Sequence, residues 1–265
     1  MMPAFVIGAA WALVIAAHLS LGHAPLRVRL AGRFSDQSYT LIFTALTVVT
    51  MCGLGMAVAM LGHQGAAGPD LGRVRIFRLV LSAGAAAGLM LAIAGLVNYP
   101  KSPMSVLAMR AQGAGKADAP LRAPTAIERI TRHPFFAGLA LFALCHAALA
   151  QTVAGMVHFA GYAVFAGIGM RLQDRKLRQR WGAVYAGFES ATSYLPKGPV
   201  ERVSSAGALK LWGVPAAIVA VLFGALHGVW SHWNGAPFII LNVVFGAIAV
   251  GASMLAAKSA QGRSR

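Results

Sequence analysis

The stretch RHPFFAGLALFALCHAALAQTVAGMVHFAGYAVFAGIGMRL, residues 132–172, decides the fold class of this chain. It contains two apolar runs separated only by Gln151 and Thr152, and its only charged residues are Arg132 and Arg171, near its two ends. Each run is about as long as the ~20 helical residues that cross a hydrocarbon core. The stretch therefore predicts two membrane helices joined as a tight antiparallel hairpin.

Similar apolar runs occur along the whole chain, which is 58% hydrophobic and only 11% charged. An ordinary soluble domain carries roughly 25% charged residues, so this composition excludes a water-soluble globule. We predict an all-α fold, a polytopic transmembrane helix bundle of about seven spans. The predicted spans cover residues 3–22, 39–61, 76–97, 134–151, 153–172, 209–230 and 237–257.

The chain is strongly basic, with 23 Lys and Arg against 7 Asp and Glu. These basic residues lie between apolar runs, so we predict contact with a lipid bilayer and anionic lipid headgroups and no nucleic-acid partner. The positive-inside rule predicts an outside N-terminus and a cytoplasmic C-terminus. Three residues in the second connection depart from this pattern: Arg73, Arg75 and Arg78.

A further helix is predicted after the fifth span, over residues 174–195. Its apolar residues recur at steps of three and four, which places them on one helical face, and basic residues fill much of the rest. This pattern favours an amphipathic helix in the cytoplasmic interface, and the alternative is a solvated helix. The apolar positions are Leu177, Trp181, Val184, Tyr185 and Phe188.

Two other features concern how the helices are arranged. Gly84 and Gly88 form a GxxxG pattern in the third span, which either permits close helix packing or reflects chance in a chain with 30 glycines. The segment 98–132 contains Gly, Pro, Lys and Ala and predicts a mobile connection before the fourth span.

His18 and His146 project from otherwise apolar helix faces of the first and fourth spans. A polar ring at membrane depth requires a partner, because hydrocarbon supplies none. The two rings could ligate one haem iron, with Phe142 beside the porphyrin, or each could bond a backbone carbonyl or hydroxyl. Their depths argue against a shared iron, since His146 lies roughly 18 Å and His18 about 6 Å from the inner ends of their spans.

His133 lies at the cytoplasmic interface, directly before the fourth span. Pro134 suits the first turn of a helix, which makes His133 the N-cap. With Arg129 and Arg132 beside it, His133 could bind an anionic headgroup, a cofactor carboxylate or a haem propionate, or it could serve only to start the helix. It lies about 220° from His146 around the helix, so these two residues do not share a site.

The order of these residues resembles the NnrU family of membrane proteins, which includes zeta-carotene isomerases. The likeness covers residues 1–198 and implies a five-helix membrane domain in a bacterial inner membrane. The last two predicted spans lie outside the likeness and form a C-terminal pair of transmembrane helices over 199–265. It also implies haem b with His18 and His146 as the metal ligands, in an isomerase-like, redox or denitrification-linked role. The resemblance rests on His18, Arg27-x-Arg29-Leu30-x-x-Arg33, Tyr39-x-x-x-Phe43, Arg132-His133-Pro134, His146, Trp181-x-x-x-Tyr185-x-x-Phe188 and Thr192-Ser193-x-Leu195-Pro196.

A second pattern is similar to isoprenylcysteine and phospholipid methyltransferases. It consists of Arg132-His133-Pro134-x-x-x-Gly138, then Asp174-x-x-Leu177 and Tyr185-x-x-Phe188 after a hairpin. This resemblance implies S-adenosylmethionine bound at the cytoplasmic helix ends and an apolar or lipid-like substrate. A third hypothesis is a non-catalytic accessory factor that only holds a partner.

Overall fold

Helices form the regular structure of the protein in a computed structural model, which describes residues 1–22, 29–30, 32–33, 35–98, 124, 126–195 and 209–222. Within these ranges there is no β-strand, and the single β-bridge joins Ala67 to Thr152. The predicted all-α class is therefore confirmed. The helices are α1 (Met2–Gly22), α2 (Asp36–Leu61), α3 (Arg75–Asn98), α4 (Ala126–Ile130), α5 (Pro134–Leu149), α6 (Val153–Trp181), α7 (Ala183–Ser190) and α8 (Val214–Ala220).

Four helices are long and apolar enough to cross a membrane, and they lie in α1, α2, α3 and α6. Helix α5 occupies the predicted fourth span but is shorter, with 16 residues. The structure thus supports a helical membrane protein, whereas seven spans are not confirmed. The predicted sixth span is described only as far as residue 222, and both the seventh span and most of the connection 98–132 lie outside the described residues.

The boundary between the helix of the fifth predicted span and the helix after it differs from the prediction. Helix α6 continues without a break through Asp174 to Trp181, because nothing in this stretch interrupts the backbone hydrogen bonds before Gly182. Gly182 has φ +50°, a conformation that favours glycine, and α7 begins directly after it. The single amphipathic helix predicted over residues 174–195 is therefore wrong. Tyr185, predicted to face lipid, is buried.

The long helices pack in the spatial order α2, α1, α6, α5, α3, and α3 against α5 is the most extensive pair. Between α1, α2 and α6 lies an apolar core formed by Ile7, Trp11, Val14, Leu54 and Ala154. The predicted hairpin of the fourth and fifth spans corresponds to α5 and α6, joined by residues 150–152.

The GxxxG pattern of α3 lies at its contact with α5. A β-carbon added at Gly88 would lie 2.6 Å from the Phe142 nitrogen, and one at Gly84 would lie 2.8 Å from Cys145 Sγ. From the opposite side, a β-carbon at Gly138 would overlap the α3 backbone. These glycines let the two helix axes approach closely, so the pattern serves packing.

One end of the bundle is closed by contacts between the α2–α3 connection and the α5–α6 turn. Gly68 N–H donates to the Gln151 carbonyl at 2.9 Å, and Asp70 N–H donates to the Ala150 carbonyl at 3.0 Å. The first turn of α1 also lies here, because Pro3 is beside Gly65. We call this the hairpin end. Helix α4, the start of α5 and helix α7 therefore lie at the opposite end.

The close contact at Gly88 predicts that stability depends on the size of the residue at this position. Replacing Gly88 by Leu should separate α3 from α5 and lower the free energy of unfolding by about 1 to 3 kcal/mol or more, because the added side chain has no room. Gly53→Leu in α2 is the control, since nothing lies within 4 Å of the position of its β-carbon. Thermal unfolding in detergent, followed by circular dichroism, measures both. Equal midpoints for the two variants would contradict the close packing.

Candidate functional site

Three separate segments of the chain meet at the end opposite the hairpin end. They are the start of α5, the last part of α6 and the segment 183–195, which includes α7. We call the polar group formed there the interfacial cluster. Its members are Arg132, His133, Asp174, Tyr185 and Glu189.

Asp174 is the centre of the interfacial cluster. Its Oδ1 accepts hydrogen bonds from His133 Nε2 and from the Tyr185 hydroxyl, both at 2.6 Å. Its Oδ2 accepts from Arg132 Nη2 at 2.9 Å and from Arg132 Nε at 3.2 Å. The residue is only 3% exposed, and burial of an unpaired carboxylate would be costly. Four donor contacts compensate for that burial.

The segment 183–195, which we call the strap, is fastened across the ends of α5 and α6. Arg132 N–H donates to the Ser193 carbonyl at 2.8 Å, and Thr131 Oγ1 donates to the Tyr194 carbonyl at 3.0 Å. The Tyr194 ring lies 5.1 Å from the Arg132 guanidinium carbon and 5.9 Å from the His133 ring centre. The strap thus covers the His133–Asp174 pair.

Glu189 of the strap joins two arginines. Arg178 forms a two-pronged ion pair with it, with Nε to Oε2 and Nη2 to Oε1 both at 2.8 Å. Arg132 Nη2 lies 3.6 Å from the same Oε1. One carboxylate oxygen therefore lies between two guanidinium groups.

Tyr185 acts as a hydrogen-bond donor in the cluster. Burial raises the pKa of its hydroxyl, and the hydrogen bond to the Asp174 carboxylate raises that pKa further. The hydroxyl therefore stays protonated at neutral pH and donates a hydrogen bond to Asp174 Oδ1.

The structure places His133 where the sequence predicts it. It is the N-cap of α5, with Pro134 in the first turn, and the backbone hydrogen-bond from its N–H reaches Thr131 Oγ1 at 3.4 Å. This cap orients the His133 ring toward α6, where Asp174 lies. Arg132 joins the same cluster, whereas Arg129 is exposed on α4.

His18 and His146 contact different aromatic side chains. The His18 ring lies 5.0 Å from Phe43 and 5.2 Å from Phe165, measured between ring centres. The His146 ring lies 4.2 Å from Phe142 and 4.8 Å from Phe159, and its Nδ1–H donates to the Phe142 carbonyl at 3.0 Å.

Both histidines contact α6, but at positions six residues apart. Phe159 and Phe165 are separated by about 9 Å along the helix and face directions about 120° apart. Helices α1 and α5 each pack on α6. Within the described residues the two rings therefore contact different aromatic side chains of α6, and haem ligation by the pair stays a prediction. Among all the described residues no group of three or more His, Cys, Asp or Glu could hold a metal ion.

Glu189, Arg178 and Tyr194 were not predicted as site residues. A signal was present, because the chain has only 7 acidic residues and three of them follow the fifth span, with Asp174 and Glu189 the nearest to it. A carboxylate at the end of an apolar and basic helix requires cationic partners. The scarcity of acids therefore marks both positions.

These features define a polytopic helical membrane protein with a buried polar site at one end of its bundle. The sequence model described as NnrU protein matches residues 6–234, and the chain therefore belongs to the NnrU family. The match extends past residue 198, where the resemblance ended. No curated protein and no solved structure matches the chain.

The central role of Asp174 predicts a large cost for its neutralisation. Asp174→Asn should lower the free energy of unfolding by about 3 to 5 kcal/mol, because Arg132 loses its buried counter-charge. Asp70→Asn removes a carboxylate at the hairpin end that pairs with the exposed Arg73, and its cost should stay below about 1 kcal/mol. Denaturant titration in detergent compares the two. The central role of Asp174 is refuted if Asp70→Asn costs as much.

Proposed function

We propose that this NnrU-family protein is an inner-membrane enzyme that transfers a methyl group from S-adenosylmethionine to an apolar or lipid-like substrate at the interfacial cluster. The observation that carries the proposal is the buried His133–Asp174 pair at 2.6 Å, with the Tyr185 hydroxyl on the same carboxylate oxygen. The methyltransferase resemblance requires His133, Asp174 and Tyr185, which are distant in the sequence, to lie at one site.

The donor set of the cluster suits the chemistry of S-adenosylmethionine. Arg132 and Arg178 are guanidinium groups that pair with a carboxylate, and Asp174 is a carboxylate that pairs with an ammonium group. The aromatic ring of Tyr194 suits a cationic sulfonium, because the face of an aromatic ring attracts cations. These residues would hold the amino-acid end of the cofactor.

The depth of the site suits a substrate dissolved in the bilayer. From Val153 to Asp174, helix α6 rises about 32 Å, which is close to the ~30 Å of a hydrocarbon core. Helix α5 is only about 24 Å long, which is shorter than the hydrocarbon core. The polar residues at its start therefore lie close to the apolar layer. A lipid-like molecule can reach such a site from the side, and a water-soluble cofactor can reach it from the cytoplasm.

The residues of the pair have complementary roles in this proposal. S-adenosylmethionine, when bound, would supply an electrophilic methyl group, and the electron pair of its methyl C–S bond would leave with the sulfur. Asp174 holds His133 through its Nε2–H, as a carboxylate orients a catalytic imidazole. In that neutral tautomer the lone pair lies on Nδ1, which can accept the proton of a protonated nucleophile. Tyr185 keeps the carboxylate in place.

Haem binding is the second candidate, and one observation favours it. The Nδ1–H of His146 is bonded to the Phe142 carbonyl and the ring lies between Phe142 and Phe159, so its orientation is fixed in an apolar setting. Hydrogen bonds of this kind orient metal-ligating histidines. The family resemblance would add an isomerase-like, redox or denitrification-linked role.

The methyltransferase proposal predicts binding of S-adenosylmethionine by the purified, full-length protein. Titration calorimetry in an uncharged detergent should detect it. His133→Ala should weaken it by about tenfold or more, because the hydrogen bond that positions the Asp174 carboxylate is lost. His63→Ala is the control, since His63 is exposed at the hairpin end.

An absorption spectrum of protein from haem-replete cells separates the candidates. A Soret band that disappears in both His18→Ala and His146→Ala, with no binding of S-adenosylmethionine, would favour haem and overturn the methyltransferase proposal. A colourless protein that binds neither molecule would instead support the accessory-factor hypothesis.

The proposal also predicts the orientation of the protein in the membrane. The cluster end should be cytoplasmic, where S-adenosylmethionine is available and where the positive-inside rule places most Lys and Arg. Reporter fusions at Gly115 and Arg265 should report cytoplasm, and a fusion at Gln64, at the hairpin end, should report periplasm. A reversed pattern would place the cluster on the wrong side of the membrane for this cofactor.

A further inference from the structure

We propose that Arg132 and Arg178 form a binding site for a monoanionic oxyanion, a phosphodiester or a carboxylate, and that Glu189 occupies this site in the ligand-free protein. The inference rests on the proposed function in that it takes the interfacial cluster as the ligand-binding site. It adds the chemical class of group that the site receives and the way in which the site opens.

The two arginines have the geometry of an anion-binding site, and the Glu189 carboxylate of the same chain occupies it. Glu189 Oε1 lies 2.8 Å from Arg178 Nη2 and 3.6 Å from Arg132 Nη2. Two guanidinium groups that converge on one oxygen are the usual way to hold a carboxylate or phosphate. The Arg132 contact is longer than a hydrogen bond, so Glu189 satisfies one arginine fully and the other only in part.

The charges of the site indicate a monoanion. The two guanidinium charges of Arg132 and Arg178 balance the two carboxylate charges of Asp174 and Glu189. Asp174 is buried at the centre of the cluster and stays, because Arg132 and His133, which lie outside the strap, hold it through three contacts. When Glu189 leaves, one positive charge is uncompensated. A phosphodiester or a carboxylate carries the single negative charge that restores the balance.

The strap has a place at which it can turn. Glu189 lies in α7, and Gly182, which joins α7 to α6, has φ +50° and no atom within 4 Å of the position of its β-carbon. The Arg178 side chain is 57% exposed, so its pair with Glu189 contributes little net stability and exchanges readily with a competing anion. Rotation at Gly182 would withdraw Glu189 and uncover the His133–Asp174 pair.

Glu189→Gln tests the inference, because it removes the internal competitor while keeping the size of the side chain. Affinities are measured by titration calorimetry on the full chain in uncharged detergent. The probes are dioctanoyl phosphatidylglycerol, acetate and inorganic phosphate, with dioctanoylglycerol as the uncharged reference. Glu189→Gln should bind the anionic probes about threefold to fivefold more tightly than the unmodified protein. Arg178→Gln should bind them more weakly.

Arg175→Gln is the matched control, because Arg175 is exposed on the same helix and should leave these affinities unchanged. Hydrogen–deuterium exchange should show faster amide exchange in residues 183–195 of Glu189→Gln and of the unmodified protein with bound probe. Tightest binding of the phosphatidylglycerol identifies a lipid source, and tightest binding of acetate or phosphate identifies a soluble one.

Equal or weaker anion binding by Glu189→Gln, or unchanged exchange in the strap, overturns the inference. Failure of the proposed function looks different, because S-adenosylmethionine would then not bind while Glu189→Gln still strengthened binding of the anionic probes.

Discussion

The buried carboxylate of Asp174 is the constraint on which the polar end of this molecule depends. An uncompensated charge at this depth would be strongly destabilising, so the chain must bring donors to it. Arg132 and His133 come from the start of α5, and Tyr185 comes from the strap. One side chain thus determines where α5 begins relative to α6 and why the chain folds back after Gly182.

The apolar part of the bundle places those donors within reach. Close packing at Gly88 and Gly138 fixes α5 against α3, and the short turn at residues 150–152 fixes α5 against α6. Both ends of α5 are then determined, so its N-cap residue His133 has a fixed position. The small residues of the membrane segment therefore act on the site indirectly, by setting the position of the helix that carries it.

Much of the fold could be predicted from local sequence, whereas the site could be predicted only in part. Apolar length and the absence of charge identify membrane helices, and Pro134 identifies the start of α5. The end of α6 was missed because Gly182 is a weak signal in a chain with 30 glycines, and the amphipathic period continues across it. Periodicity shows which residues share a helix face but not which helix that face meets. For this reason the sequence did not show that His18 and His146 contact α6 at positions six residues apart.

The two candidate functions require very different movements from this structure. A haem between His18 and His146 has to fit beside the contact of α1 with α6, where Trp11 packs against the backbone of Gly161 and Ile7 and Val14 are buried. Helix association in a membrane depends on such close van der Waals contacts, because lipid is as apolar as the side chains. Opening the strap would break an exposed ion pair, worth about 1 kcal/mol or less, the Tyr185–Asp174 hydrogen bond and the two hydrogen bonds that fasten residues 193 and 194. All of these contacts lie at one end of the bundle, so the interfacial cluster can open without disturbing the apolar core that holds the bundle together.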